Sequence, residues 1–211
     1  MADFSVNGLE FRNFGPFSFQ LERGERLFVT GASGSGKSLL LRALADLDPH
    51  RGWVLLDGCE AQEMPAPRWR RRVGLLPAES QWWYDMVGQH FPGGLREELA
   101  TNLGFPATVG EWSIARLSSG EKQRLAILRL LQNQPEVLLL DEPTANLDPE
   151  SRLKVESLLL EYQRQRPAVL LWVSHDLEQV ERLGGRCLEL IGGRLREMGG
   201  KNYSAAGGVK I

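Results

Sequence analysis

Gly31-Ala32-Ser33-Gly34-Ser35-Gly36-Lys37-Ser38 decides how the rest of the chain is read. It fits the pattern Gly-x-x-x-x-Gly-Lys-Ser/Thr in full. Glycines let a loop turn its backbone N–H groups inward around an anion, because no Cβ obstructs the turn. Upstream, Leu27-Phe28-Val29-Thr30 reads as a buried strand; downstream, Leu39-Leu40-Leu41-Arg42-Ala43-Leu44 reads as an apolar helix. A helix that starts at such a loop offers unpaired N–H groups and the positive end of its dipole to a phosphate. Lys37 supplies a point charge for the β- and γ-phosphates, and Ser38 a hydroxyl suited to Mg²⁺. With a strand before it and an apolar helix after it, the loop predicts binding of a nucleoside triphosphate rather than a structural turn.

Outward from the loop, continuous apolar runs recur at Val73-Gly74-Leu75-Leu76, Val137-Leu138-Leu139-Leu140 and Ala168-Val169-Leu170-Leu171-Trp172-Val173. Runs without polar alternation suit strands covered on both faces, and helix-like stretches between them give an α/β fold with a mainly parallel sheet. The N-terminal stretches Leu9 to Arg12 and Phe17 to Leu21 alternate apolar with polar residues, as half-exposed antiparallel strands do. Residues 82–117 show no buried-strand pattern and contain Leu95-Arg96-Glu97-Glu98-Leu99, so they read as a small helical insert. Residues 1–197 are expected to form one domain, and 198–211, rich in glycine and polar residues, a flexible tail.

Two further stretches carry chemistry. Val137 to Leu140 ends in Asp141-Glu142, which places two carboxylates at the C-terminal edge of the sheet, where open α/β folds bind ligands. Asp141 suits Mg²⁺ and Glu142 suits polarising an attacking water; a capped strand end is the bland alternative. Leu117-Ser118-Ser119-Gly120-Glu121 contains the capping box Ser118…Glu121 ahead of Leu125, Leu128 and Leu131. Spacing alone favours a simple helix start there, although a serine and a close-approach glycine at a helix N-terminus also suit a phosphate. Asp148-Pro149 is a good N-cap and N1 pair.

Taken together, these stretches resemble the ATP-binding cassette (ABC) ATPases. Leu117 to Glu121 is similar to that family's signature motif and stands about twenty residues before Asp141, as the family requires. Ala145-Asn146-Leu147-Asp148 resembles its D-loop, and His175 its switch histidine; the likeness runs from about Leu9 to Glu197. The resemblance implies a P-loop NTPase core with ATP and Mg²⁺ as ligands. ATP would be held by Gly31 to Ser38, with Ser118, Gly120 and Asp148 supplied at a head-to-tail interface with a second copy. Lys37, Glu142 and His175 would be catalytic, and Ser38 and Asp141 would hold the metal. It further implies a transporter's nucleotide-binding subunit, most like small bacterial exporter cassettes, at the cytoplasmic face of the membrane and powering a separate permease. A cassette ATPase without a permease, in nucleic-acid or assembly work, is the alternative class.

Two family features are altered. Ala78, in Pro77-Ala78-Glu79-Ser80-Gln81, stands where the family has a metal-contacting glutamine, with Glu79 or Gln81 as substitutes. Phe14 is the candidate for stacking on adenine, or equally a core phenylalanine.

Composition is compatible with this reading. The net charge of −2 gives no field that would draw a polyanion, so nucleic acid is not an expected partner. Arg68-Trp69-Arg70-Arg71-Arg72 reads as a solvated helix face. The two cysteines, Cys59 and Cys187, lack metal-ligand spacing and are expected to be buried, reduced thiols. No apolar run approaches the roughly 20 residues that span a bilayer, and Met1 to Phe4 lacks a signal-peptide pattern. Trp82-Trp83-Tyr84 reads equally as a docking patch for a membrane subunit or as core of the insert.

Overall fold

A computed structural model describes residues 4–198 of the 211-residue chain. Residues 199–211, nearly all of the expected tail, lie outside the described residues, as do residues 1–3. Met198 itself is tied in, its N–H donating to Cys187 O at 3.2 Å.

The main sheet has six strands. β3 (Arg26–Thr30), β6 (Val73–Leu76), β7 (Val137–Asp141), β8 (Val169–Val173) and β9 (Arg186–Ile191) run parallel, and β10 (Arg194–Glu197) pairs antiparallel with β9. Their order is β10-β9-β3-β8-β7-β6. The four apolar runs of the sequence are thus four of its strands, and β7 and β8 are buried along their whole length. Alternate side chains feed two separate cores: Phe28, Leu138, Leu140, Leu170 and Trp172 join one, while Leu27, Val29, Leu139, Leu171 and Val173 join the other. That period-2 division is why these strands carry no polar face.

On one side the sheet meets α1 (Lys37–Leu44), α2 (Ala66–Arg72) and a second, antiparallel sheet in the order β2-β1-β4-β5, made of β2 (Phe14–Leu21), β1 (Phe4–Phe11), β4 (Arg51–Leu56) and β5 (Cys59–Glu60). On the other side lie α4 (Ser119–Gln132), α5 (Pro149–Gln165) and the insert. Both long helices begin as expected. Ser118 Oγ accepts from Glu121 N–H at 3.2 Å while Glu121 Oε2 accepts from Ser118 N–H at 2.8 Å, closing the capping box of α4. Asp148 Oδ1 accepts from Ser151 N–H at 2.9 Å ahead of Pro149.

The insert is more turn than helix. Between residues 82 and 117 only α3 (Glu97–Asn102) is α-helical, beside short 3-10 turns at Val87–His90, Ala107–Glu111 and Ile114–Arg116. Pro92, Gly93, Gly94, Gly104 and Pro106 interrupt any longer helix. The basic run forms the solvated helix face expected of it, with Arg68, Arg70 and Arg71 exposed, but Trp69 is core, Arg72 bridges Glu136 and Asp57, and Arg70 donates to Asp46 O at 2.5 Å. Only one cysteine matches expectation. Cys187 is buried, and burial pushes its thiol pKa up, whereas Cys59, on the edge strand β5, is half-exposed.

Candidate nucleotide site

Four of the stretches singled out in the sequence leave the C-terminal edge of a parallel strand. The glycine loop follows β3, Asp141 ends β7, His175 follows β8, and Ala78 follows β6. In the register of β7 and β8, Asp141 stands opposite Val173, which brings the next residues of both strands out side by side. Glu142 N–H donates to Val173 O at 3.2 Å, and His175 Nε2 lies 2.8 Å from Glu142 Oε1.

Gly36, the residue before α1, has φ 103°, and a Cβ there would meet the Phe14 ring at 2.6 Å; at Gly31, φ 139°, a Cβ would lie 2.6 Å from Leu190 O. Only glycine meets both demands. No acidic residue stands in the first turn of α1, and its N-cap makes no side-chain bond, so the helix start is left for an anion. Lys37 folds back over the loop, Nζ donating to Gly31 O and Ala32 O, both at 2.9 Å. Burial pushes its ammonium pKa down, and the carboxylates of Glu142 and Asp141 pull it back up. Ser35 Oγ is buried without a hydrogen-bond partner, whereas Ala32, Ser33, Gly34 and Ser38 are exposed.

Asp141 is buried, which pushes its carboxyl pKa up; the Ser38 hydroxyl and the Ala78 backbone N–H, both donating to it, act in the opposite direction. Ala78 thus reaches the site through its backbone. Of its two candidate substitutes, Gln81 lines a neighbouring groove and Glu79 is exposed. Glu142 holds φ 47°, a left-handed conformation that costs a non-glycine residue about 1–3 kcal/mol and persists only where its surroundings fix it. Phe14 stacks on Phe11 at 5.5 Å and 25° and packs on the glycine loop at Gly36.

The predicted residues fall into two groups. Gly31 to Ser38, Asp141, Glu142 and His175 converge as described. Ser118 and Gly120 sit elsewhere: a Cβ on Gly120 would lie 3.3 Å from Asn146 O and from Leu147 Cδ2, so the start of α4 packs on the stretch that leads to Asp148. Sequence reading missed Thr144, Glu156, Ser174 and Gln179, which form a buried polar cluster under the Glu142–His175 pair. No local pattern marks them, because their contacts cross up to 35 positions of sequence.

A glycine loop and lysine after the central strand, with acidic residues two strands away at the same edge, define a P-loop nucleoside triphosphatase. The family described as ABC transporter matches residues 14–145. Protein STAR1 of Oryza sativa subsp. japonica is 35% identical over 188 residues, covering 83% of this chain and 54% of STAR1. The probable iron export ATP-binding protein FetA of Escherichia coli (strain K12) is 33% identical over 175 residues, covering 77% of this chain and 78% of FetA. The thiamine import ATP-binding protein ThiQ of the same organism is 33% identical over 205 residues, covering 90% and 88%. Among solved structures, a bacterial Atm1-family ABC exporter with ATP bound matches with a TM-score of 0.78 at 25% identity, over 93% of this chain and 38% of the exporter chain. The chain therefore spans about half of STAR1 and well under half of the exporter. It belongs to the ABC transporter family, as an ABC-type ATPase.

Proposed function

We propose that the protein binds ATP at Gly31 to Ser38 and hydrolyses it as the nucleotide-binding subunit of a transporter, driving a separate membrane subunit. The observation that carries this reading is the 2.8 Å contact of His175 with Glu142 at the same sheet edge as Lys37, Ser38 and Asp141. The loop N–H groups and Lys37 hold the phosphates, Lys37 exchanging its contacts with Gly31 O and Ala32 O for phosphate oxygens. Glu142 accepts a hydrogen bond from the attacking water and orients it toward the γ-phosphorus. His175 steadies that carboxylate and reaches the γ-phosphate. The Ser38 hydroxyl and the Asp141 carboxylate, which lie close enough to interact, are hard oxygen donors of the kind Mg²⁺ takes, with phosphate and water completing the shell. When bound there, Mg²⁺ offsets charge on the phosphates.

Ser118 and Ser119 are exposed, as are the tip of the glycine loop and Asp148. A second copy arranged head to tail would place its Ser118 and Gly120 on the first copy's nucleotide, so that each chain completes the other's site. In this reading residues 82–117 are the subdomain that carries Ser118 into the interface.

Among the described residues no helix is long and apolar enough to cross a membrane. The link to a permease, at the inner face of the cell membrane, falls instead to a groove of about 550 Å³ lined by Leu47, Leu75, Leu130, Trp83 and Arg129, with no acidic residue in its lining. Arg129 has its guanidinium over the rings of Trp82 and Trp83, at 4.5 and 4.8 Å, and has no ion pair among the described residues. Apolar walls and an unpaired cation suit a partner segment with both apolar and acidic side chains. The relatives include both an export and an import protein, so cargo and direction are assigned to the membrane subunit.

Steady-state ATPase of the purified protein tests the core of this reading. Lys37→Ala should abolish turnover, and Glu142→Gln should keep ATP binding, nearly stop hydrolysis and accumulate an ATP-held dimer on sizing chromatography. Undiminished turnover in Lys37→Ala would overturn the assignment.

A further inference from the structure

Gln179, in α6 (Leu177–Leu183), is 1% exposed, and no role above uses it. Its amide nitrogen Nε2 donates to Thr144 Oγ1 at 2.9 Å and to Glu156 Oε1 at 2.7 Å, while its Oε1 accepts from Ser174 Oγ at 2.8 Å. Thr144 lies two residues past Glu142, and Ser174 immediately precedes His175. Ser174 Oγ also accepts the N–H of Asp176 at 3.1 Å, so the hydroxyl spans His175. Asp176 is fixed in turn, by Gln179 N–H at 3.0 Å and by Arg152 Nη1 at 3.0 Å. Glu156, 3% exposed, receives Arg182 on both oxygens, at 2.8 and 3.0 Å. Thr144, Ser174 and Gln179 line a cavity of about 90 Å³ that Glu142 and His175 also line.

We propose that Gln179 is a positioning residue for hydrolysis: one carboxamide braces the loop that carries Glu142 against the loop that carries His175. The inference rests on reading those two residues as the hydrolytic pair. The chemistry requires an amide. Toward Thr144 and Glu156 the group donates, and toward Ser174 it accepts; no apolar side chain does either, and a carboxylate can do only the second. Glu142 needs the brace more than most residues, because its left-handed backbone relaxes unless its surroundings hold it. Since Gln179 touches no reacting atom, its loss should lower kcat and leave the affinity for ATP in place.

The test is a pair of substitutions with opposite controls. In Gln179→Glu a carboxylate replaces the donor that sits 2.7 Å from Glu156. The groups facing that point are Glu156, Arg152, Asp176, Arg182, Ser174 and Thr144. Two carboxylates so close share a proton at low pH and repel each other once both ionise. The kcat of Gln179→Glu should therefore approach wild type near pH 6 and fall about tenfold below it near pH 8.5, the cost of roughly one buried hydrogen bond. In Thr144→Val the link to the Glu142 loop is cut at constant volume, and kcat should again fall about tenfold. Thr144→Ser keeps the hydroxyl and should recover most of the rate. The KM for ATP and binding of trinitrophenyl-ATP should change less than about twofold throughout. Wild-type kcat in folded Thr144→Val, or equal loss in Thr144→Ser and Thr144→Val, overturns the proposal even if Gln179→Glu fails to fold. Loss of ATP affinity in step with kcat, without pH dependence, also overturns it. A wild-type protein that does not hydrolyse ATP at all would instead overturn the reading of Glu142 and His175 on which it rests.

Discussion

Trp82 and Trp83 are neighbours in sequence, yet the structure gives them different work, and removing each in turn separates core from docking surface. Trp83 is 62% exposed, whereas Trp82 is partly buried and packs against the insert's core. An aromatic side chain that buries about 200 Å² when fully enclosed buries only about 80 Å² at this exposure. At about 25 cal/mol/Å² that is roughly 2 kcal/mol, and compactness of the unfolded chain lowers it toward 1 kcal/mol. The Arg129 contact adds about 0.5 kcal/mol to either residue, since an Arg–aromatic pair near water is weak. Trp82→Ala should cost about 3 kcal/mol, the lower end for a tryptophan in a core. For a domain of this size 1 kcal/mol shifts the melting temperature by about 2–4 °C. Scanning calorimetry should therefore find Trp83→Ala about 3–6 °C below wild type and Trp82→Ala about twice as far below it. Basal ATPase should persist in Trp83→Ala, while its recovery with the membrane fraction falls. Equal, large melting losses in the two variants would show that Trp83 is core as well, and the docking surface would lose its main anchor.

Two other outcomes are expected. Glu79→Ala should raise the Mg²⁺ concentration needed for half-maximal ATPase more than Gln81→Ala does, because Gln81 lines the groove; equal effects would mean that water completes the metal's shell. His90 accepts the backbone N–H groups of Trp83 and Tyr84 on Nε2, both at 3.1 Å, which only a neutral ring can do, and burial holds its pKa below 6.5. With the folded pKa depressed, its contribution is complete above about pH 6.5 and is lost as pH falls through the folded value. Melting temperature should thus drop more between pH 7.5 and pH 5 in wild type than in His90→Gln, and equal drops would remove His90 as the cause.

What was legible in the sequence shares one property: it lies within a single contiguous stretch. The apolar runs around Val29, Leu139 and Leu171 announce doubly covered strands because alternate residues enter different cores and none can be polar. Capping at Ser118 and Asp148 needs only three or four neighbouring residues. The strands β4, β5, β9 and β10 escaped reading: β10 is a charged, mostly exposed strand, and β4 carries the run Trp53 to Leu56 on a half-exposed strand of the second sheet, with Trp53 itself exposed. Their turns did carry a signal. Asp57-Gly58 and Gly192-Gly193 all have positive φ, as two-residue hairpins require. The arginines show the opposite limit. Arg72 and Arg129 look alike in sequence, but Arg72 meets Glu136 from 64 positions away, while among the described residues Arg129 sits over the rings of Trp82 and Trp83 without an ion pair. Whether a charge is spent on structure or left for a partner is settled by such distant neighbours.

The packing of Gly120 connects the two halves of the proposed site. In the proposed head-to-tail arrangement, Glu142 would serve the nucleotide on its own chain's glycine loop, and Ser118 the nucleotide of the partner. Within one chain those two residues are not independent. Glu142 leads through Pro143, Thr144 and Ala145 to Asn146 and Leu147, and Gly120 packs on those last two, where a Cβ would lie 3.3 Å from Asn146 O and from Leu147 Cδ2. Leu147 is buried and Asp148 is fixed as the cap of α5, so the stretch cannot move without moving what packs on it. Ser118 is also held by Glu121 through the capping box, and in the proposed dimer a partner's phosphate would have to draw the Ser118 hydroxyl away from that carboxylate. In the proposed dimer, a shift of the Glu142 loop on hydrolysis would therefore be felt at the start of α4, which that arrangement sets against the other nucleotide. Two sites arranged as proposed would be joined through the six residues Glu142 to Leu147, which gives a physical reason for them to act in concert rather than as separate ATPases.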